Sequence, residues 1–468
     1  MKNIIYITAF LLLIVSGCKV SKDIAVPTAP LPEAFRNSMS NDSIGIASIE
    51  WKQFFANEQL QQLIDSTITN NFDLQIAIKN IEAAQLIIKQ ARLGNLPTVS
   101  LGVNAAINRP SDNSLNGLSL SQFLGKSYVE DYSMSAALSW EADIWGKIKN
   151  QKAKSLATYL QNGEVKKVIQ TNLVAFVAKG YYNLLLLDAQ IAIARKNLLL
   201  NDSTLRIIKL QYESGQVTTL GVQQAQAQRL VAALLIPQLE QAISIQESAL
   251  SVLAAVLPAT VKRKGTINDI VFSNHLSTGV PSLLLQNRPD IKFQELQLAI
   301  ANANTGIAKA EMYPSLKITA AGGINAFKAS NWFSIPASLF GTVAGGITQP
   351  LFQRKELKTK YEITKLEREK TVLQFRQSVL TAVGEVSEAL VKADKLKEQE
   401  TIAEARVLLL QQAIGNADLL FRNGMATYLE VIAAQSNVLQ SELALAALKK
   451  EQLNAVVELY RSLGGGWK

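Results

Sequence analysis

The chain contains one cysteine, Cys18, and one histidine, His275, in 468 residues. One of each excludes a disulfide framework and any Cys/His metal cluster, which needs three or four such ligands. A Ser-His-Asp or Cys-His centre would rest on His275 alone, and that residue stands in the polar stretch Ser273-Asn274-His275, which reads as structural or solvent-facing. Glycines do cluster at Gly341-Thr-Val-Ala-Gly-Gly346, but without the Lys-Ser/Thr ending of a phosphate loop. The expectation is a protein that is not an enzyme and carries no cofactor or metal. Proline is also scarce. All twelve prolines lie between Pro27 and Pro350, and none falls in residues 111–236 or 351–468. An interior proline breaks a helix, so the two empty stretches predict two very long helical regions.

A net charge of +9 raises the question of nucleic acid. The cations are interleaved with carboxylates, as in Lys365-Leu-Glu-Arg-Glu-Lys370, which reads as a solvated coiled-coil face, and Lys262-Arg263-Lys264 is only a short turn cluster. No nucleic-acid partner is expected. Length alone suggests about three domains of ~150 residues. An internal duplication, described below, argues for a different division.

Lys2 followed by the apolar run Ile4 to Val15 has the charged and hydrophobic regions of a secretory signal and is too short to span a bilayer. Val15-Ser16-Gly17 then leads to Cys18, which resembles the bacterial lipobox. That resemblance implies cleavage after residue 17 and covalent lipid on Cys18. Residues 19–41 hold Pro27, Pro30 and Pro32 and read as an extended tether.

The body of the chain repeats itself. Asn71-Phe-Asp73 and the helical pattern ending at Pro97 match Arg288-Pro-Asp290 and the pattern ending at Pro314, both at an offset of 217. Tyr212-Glu-Ser-Gly215-Gln-Val-Thr-Thr-Leu220 matches Phe421-Arg-Asn-Gly424-Met-Ala-Thr-Tyr-Leu429 at an offset of 209. A duplication of this kind decides the architecture. After each of the two prolines the period changes to two. Val99, Leu101, Val103, Ala105 and Ile107 alternate with small or polar residues, as do Met134, Ala136, Leu138 and Trp140. In the second half the same holds for Leu316, Ile318, Ala320, Gly322 and Ile324, and more weakly for Gly341, Val343, Gly345 and Ile347. Each run has about the 9 to 11 residues of a tilted transmembrane strand. Four strands cannot close a barrel, whose smallest observed number is about eight, so a barrel would be shared among chains.

From Ile148 to Tyr212 the only glycines are Gly163 and Gly180. At ~1.5 Å per residue such a helix approaches 100 Å. Ile191, Leu198, Leu205 and Tyr212 fall seven apart, and Val407, Ile414 and Phe421 repeat the phase at the 209 offset, which predicts a coiled-coil seam. Gly215 and Gly424 mark reversals, so the stretches form two helical hairpins with glycine tips.

The lipobox, the duplicated order of helix, strand pair and long hairpin, and the glycine tips together resemble the TolC-like outer membrane factor family, in its lipoprotein branch (NodT/OprM type) serving resistance-nodulation-division pumps. Trp140-Glu-Ala-Asp143-Ile144-Trp145-Gly146-Lys147, Arg288-Pro-Asp-Ile291, and Phe421-Arg-Asn-Gly424 with Tyr428-Leu-Glu430-Val431 carry the resemblance, which covers nearly the whole mature chain. It implies a mainly α fold with a membrane β-barrel. Three chains would give a twelve-stranded barrel in the outer membrane and an α-barrel of long coiled-coil hairpins in the periplasm. The expected organisation is a signal peptide over 1–17, a lipid-anchored tether with part of an equatorial belt over 18–56, and a first repeat over 57–257 with strand pair 97–142 and hairpin 148–257. A belt segment over 258–287 follows, then a second repeat over 288–463 with strand pair 314–350 and hairpin 353–463, and a tail over 464–468. The implied function is the exit channel of a tripartite efflux pump, a homotrimer working with a periplasmic adaptor and an inner-membrane transporter. The alternatives are the outer membrane component of a type I secretion exporter and a lipid-anchored periplasmic scaffold.

A conduit needs an openable end and a docking surface. Glu430 occupies a position where the family often carries an acid, and Asp418 lies one turn before the tip; three-fold symmetry would turn either into a ring of like charge. Arg422 is expected to lock the closed end by pairing across helices, while Ala426 stands where the family has a tip arginine. Gly215 and Gly424 are the candidate adaptor-docking tips. Trp140, Trp145, Trp332, Phe333 and Phe340 flank the strands and fit an aromatic girdle.

Overall fold

The computed structural model describes Phe35, residues 45–270, Phe272 and residues 278–468; Cys18 and His275 lie outside the described residues. The long elements are α1 (Glu58–Asn70), α2 (Phe72–Arg92), β1 (Thr98–Asn108), α3 (Leu115–Leu124), β2 (Val129–Ala142), α4 (Lys147–Glu213) and α5 (Thr219–Leu253). The second half continues with α6 (Pro289–Ala310), β3 (Ser315–Ala326), β4 (Leu339–Thr348), α7 (Glu356–Arg422) and α8 (Tyr428–Ser462). Single turns of helix occur at Trp51–Phe54 and Leu284–Asn287.

The duplication is visible in the element lengths. Helices α4 and α7 have 67 residues each and α5 and α8 have 35 each, all displaced by 209. The connection from β1 to β2 has twenty residues and that from β3 to β4 has twelve. The difference of eight is what converts the 217 offset before the strands into 209 after them. Helix α3 occupies the longer connection and has no counterpart. Ser114 caps it by accepting from the Gly117 N–H, and Gly125 ends it at φ 60.

Two compact units share these elements. One takes Glu82–Leu160 and Glu295–Leu373 and contains the sheet; the other takes residues 45–81, 161–294 and 374–468. The sheet is antiparallel in the order β1-β2-β3-β4, with β1 and β4 as unpaired edges. Register places Val99, Leu138, Ala320 and Val343 in one row across it and Thr98, Ser139 and Thr319 in the next row on the opposite face.

The core of the second unit gathers Trp51, Phe55, Leu60 and Ile64 around Tyr181, Tyr182 and Tyr460. Phe54 stacks on Tyr460 at 4.0 Å, and the Tyr460 hydroxyl donates to the Ile49 carbonyl at 2.7 Å. Burial leaves each tyrosine needing a partner for its hydroxyl, and Tyr181 finds one in Asn57 Oδ1 at 3.2 Å. Residues 464–466 are buried as well, and Trp467 Nε1 donates to the Asn287 carbonyl at 3.1 Å, so this tail is part of the packed body.

The two repeats close in the same way with different side chains. Asn71 Nδ2 donates to the carbonyl of Leu253, the last residue of α5, at 2.9 Å. Its counterpart Arg288 donates to the carbonyl of Ser462, the last residue of α8, at 2.9 Å. Both side chains satisfy a terminal helix carbonyl that has no partner within its own helix. Arg288 also pairs with Asp290 at 2.6 Å and Glu385 at 2.8 Å, and Arg461 joins Glu385 to Glu458, which reaches Lys179. Burial pushes the Asp290 carboxyl up, but the hydrogen bonds and charge of Arg288 outweigh it and hold the group below its ordinary range. Glu458 is lowered by the same balance of burial against Arg461 and Lys179.

Two expectations need correction. Pro237 lies inside α5, so the helix is not confined to a proline-free stretch. Pro237 removes one N–H donor from the ladder of α5, and it lies exposed on that helix. The seam of α4 is also shifted. Of the residues seven apart only Leu205 is buried, and Tyr212 is exposed at 46%. The buried line runs through Ala194, Asn197, Asn201, Thr204 and Ile208 with the alternating spacing of a seam.

Arg288→Met should destabilise the protein by about 3 kcal/mol, because it strips a buried cation from two carboxylates and a helix-end carbonyl. The check is a lowered thermal midpoint of the detergent-solubilised protein. For the wild type, Asp290 and Glu458 have depressed folded pKa values, so their contribution is complete above the unfolded carboxylate range of about 4. It should be lost as pH falls below that range through the folded values. In Arg288→Met the acid-induced fall in the midpoint should be shallower.

Candidate functional site

Two regions carry the features a conduit needs, the sheet in one unit and the hairpin ends in the other. In the sheet, one face holds Val99, Leu101, Val103 and Ile107 of β1 with Met134 and Leu138 of β2 and Ile324, Leu339, Val343 and Ile347 of β3 and β4. Its outer strands lie open, with Leu101 at 68% and Val343 at 81% exposure. Exposed apolar area on this scale is unstable in water. The other face carries Ser100, Asn104, Ser133, Ser135, Asp131, Thr319, Asn325 and Thr342, all small or hydrogen-bonding. Asn325 Nδ2 donates to Asp131 Oδ1 at 2.7 Å across the strands. One face is therefore suited to hydrocarbon and the other to water.

The aromatic residues divide. Trp140 shares the apolar face with Ile318, and its Nε1 donates to the Asn95 carbonyl at 2.8 Å. Trp145 donates to the Pro314 carbonyl at 2.7 Å and stacks on Tyr313. Trp332 and Phe333 are in contact in the β3–β4 connection. Phe340 departs from the girdle, because register puts it opposite Gly323 on the polar face.

At the hairpin ends, Gly215 and Gly424 have φ values of 78 and 72. Each sits in the same double hydrogen bond. The Gln216 N–H reaches Gln211 O at 2.8 Å and the Gly215 N–H reaches Tyr212 O, while Met425 and Gly424 do likewise to Leu420 and Phe421. This is the left-handed helix stop that favours glycine, since a Cβ is disfavoured at that φ.

The charged candidates near Gly424 are engaged locally. Asp418 pairs with Arg422 at 2.9 Å, one turn apart on α7, so within the chain Arg422 is held by its own helix rather than across helices. Glu430 forms the capping box of α8: its carboxylate accepts from the Thr427 N–H at 2.5 Å while Thr427 accepts from Glu430.

The contact between the two hairpins joins residues the sequence singled out, Leu205, Phe421, Tyr428 and Val431, to others it did not, among them Gly221, Gln224 and Gln435. Tyr428 lies against Gly221, where an added methyl would come within 3.1 Å of its ring, and the Tyr428 hydroxyl donates to Gln224 Oε1 at 2.8 Å. Leu205, Ile208, Ala225, Phe421 and Val431 form a small core beside it. Further along, Asn201 donates to Asn197, Asn197 Nδ2 donates to the Gln435 carbonyl at 3.4 Å, and Gln435 Nε2 donates to Thr204 Oγ1 at 2.7 Å. A buried polar seam of this kind fixes register, because a slip leaves amides unpaired. One available signal was the 209 offset itself, which sets Gly221 against Glu430 and marks the two tips as unlike.

Comparison with known proteins bears on both regions. The family model described as "Outer membrane efflux protein" matches residues 63–256 and 280–465. The chain is 28% identical over 478 residues to the toluene efflux pump outer membrane protein TtgC of a Pseudomonas putida strain, covering 98% of this chain and 94% of that one. It is 25% identical over 460 residues to the probable outer membrane lipoprotein SilC of Salmonella typhimurium, covering 97% of each. Among solved structures, the outer-membrane channel OprN superposes with a TM-score of 0.86 at 24% identity, over 96% of this chain and all of that one. Matched along both repeats and both regions, the chain belongs to the outer membrane efflux protein family.

Proposed function

We propose that this chain is the outer membrane exit channel of a tripartite efflux pump, assembled as a homotrimer. The observation that carries the reading is the four-stranded sheet with an apolar exposed face, a hydroxyl-rich face and two unpaired edges. Among the described residues no helix is long and apolar enough to cross a membrane. Unpaired strand edges are not tolerated in hydrocarbon, so β1 of one chain must pair with β4 of another until the sheet closes. Three chains give twelve strands with the hydroxyl-rich face inward, around water. A passive duct of this kind conducts rather than catalyses, so the chain is not an enzyme. Covalent lipid on Cys18 adds a second hold on the outer membrane. The relatives named as efflux pump components support a periplasmic adaptor and an inner-membrane transporter of the resistance-nodulation-division type as partners, with the Gly215 and Gly424 tips as the docking end.

Glu430 is the carboxylate best placed to charge the gate. Asp418 is neutralised by Arg422, whereas the Glu430 carboxylate accepts a backbone N–H and pairs with no cation among the described residues. Three copies make an anionic ring that draws cations.

The mass of the detergent-solubilised particle should be that of three chains; a single chain or a pair contradicts the closed twelve-stranded barrel. Glu430→Gln keeps the capping box, because glutamine serves at the same position, and removes the charge. The thermal midpoint should change little while cation preference across a planar bilayer falls; unchanged ion preference would remove Glu430 from the gate. Gly424→Trp should abolish drug efflux and leave the trimer intact in the outer membrane. Intact efflux would show that this tip is not the docking end.

A further inference from the structure

All four strands meet their helices at the same end of the sheet, through Leu93–Asn95 before β1, residues 143–146 after β2, residues 311–314 before β3 and residues 349–355 after β4. Two features of this junction have no part in conduction or docking. The first is apolar: Leu351 and Phe352 are exposed at 93% and 87%, beyond the end of a face that already finishes in the exposed Ile347, and Leu93 and Leu96 are open beside β1. The second is charge. Lys149, Lys152 and Lys154 lie in the first turns of α4, and Arg354, Lys355 and Lys358 lie where α7 begins. None of these six cations pairs with a carboxylate among the described residues, although Lys147 and Lys360 in the same segments pair with Glu141 and Glu311.

These charges do not serve the helices that carry them. The start of a helix has a positive partial charge and favours an acid, and α1, α2, α6, α7 and α8 open on Glu58, Asp73, Asp290, Glu356 and Glu430. Helix α4 has no acid in its first turn, and Asp143 ahead of it accepts from the Ile148 and Lys149 N–H groups instead. Arg354 and Lys355 also hold φ values of 51 and 65, a conformation that costs a non-glycine residue something and persists where the site has a use for it.

We propose that the junction is a collar that selects anionic phospholipid in the periplasmic leaflet of the outer membrane. Leu351 and Phe352, with Leu93 and Leu96, enter the acyl edge of that leaflet, and the six cations take its phosphate groups. The assignment rests on the sheet being the membrane wall. Continuity decides the occupant, since the apolar pair prolongs the lipid face of β4 and the cations flank it at headgroup depth. Free phosphate would leave Leu351 and Phe352 uncovered.

The test counts lipids retained by the purified trimer after incubation with equimolar phosphatidylglycerol and phosphatidylcholine, by mass spectrometry. Phosphatidylglycerol should be preferred by about fivefold or more at low salt, the effect of at least one cation at an anionic surface, and the preference should vanish at high salt. The combined variant Lys149→Gln, Lys152→Gln, Lys154→Gln, Arg354→Gln, Lys355→Gln and Lys358→Gln should retain both lipids equally, and the matching set with the lysines changed to arginine should keep the preference. Leu351→Ser with Phe352→Ser should lower retention of both lipids together. A wild type without preference, or a glutamine variant that keeps it, overturns the collar. So does displacement of phosphatidylglycerol by inorganic phosphate alone, which would mark a plain anion site. If the wild type binds neither lipid and stays dispersed without detergent, the membrane-wall reading falls and takes the collar with it, a result distinct from loss of selectivity.

Discussion

Every other feature of the molecule depends on the unpaired backbone at the two edges of its sheet. A strand edge in water can be covered or solvated, but in hydrocarbon each open N–H and C=O costs several kcal/mol. With β1 and β4 both open, the chain cannot be a finished object in a membrane. Its sheet is part of something larger, and that need for neighbours accounts for much of what would otherwise look like poor design. Phe72 and Leu86 on α2 and Leu230, Val231 and Leu234 on α5 are more than half exposed in the single chain. Apolar residues on long helices in such numbers make sense as surfaces that copies cover.

The second constraint is how to end a long helix inside a packed body. Each helix leaves terminal carbonyls unsatisfied, and in this fold α5 and α8 both finish against the start of a repeat. The first repeat meets the requirement with the neutral Asn71 and the second with Arg288, which brings a charge that must itself be balanced. Asp290, Glu385, Arg461, Glu458 and Lys179 follow from that one substitution of function. A buried ion network is weak evidence for net stability against an apolar alternative, yet removing one member is costly, so such a network persists once formed.

Much of this was legible in the residues. The strand positions follow from period-two alternation, because each face of a membrane barrel meets a different solvent; β1 and β3 begin directly after Pro97 and Pro314. The glycine stops at 215 and 424 were legible because a left-handed turn admits few other residues. What escaped were contacts made by unremarkable side chains. Apolar periodicity pointed to Leu198 and Tyr212 for the seam of α4, whereas the buried line passes through Asn197, Asn201 and Thr204; Asn201 bonds Asn197 on its own helix, while the Asn197 amide and the Thr204 hydroxyl meet Gln435 on α8. No pattern within one helix can announce a partner 231 residues away. Helix α3 was missed for a related reason, since it lies in a connection present in only one repeat. The roles of Cys18 and His275 are a matter of sequence alone.

The two repeats differ most where they touch. Exact copies around a barrel axis could still meet through heterologous contacts, so the contact permits divergence without requiring it. The tips are complementary: at Gly221 an added Cβ would meet Val217 at 2.5 Å and the Tyr428 ring at 3.1 Å, and the counterpart of Gly221 in the other repeat is Glu430. With Glu430 in its capping box and its counterpart reduced to glycine, only one of the two tips keeps the carboxylate. The contact between the hairpins is thus built from unlike residues, Tyr428 of one tip against Gly221 and Gln224 of the other, and the capping carboxylate Glu430 has no counterpart on the first hairpin.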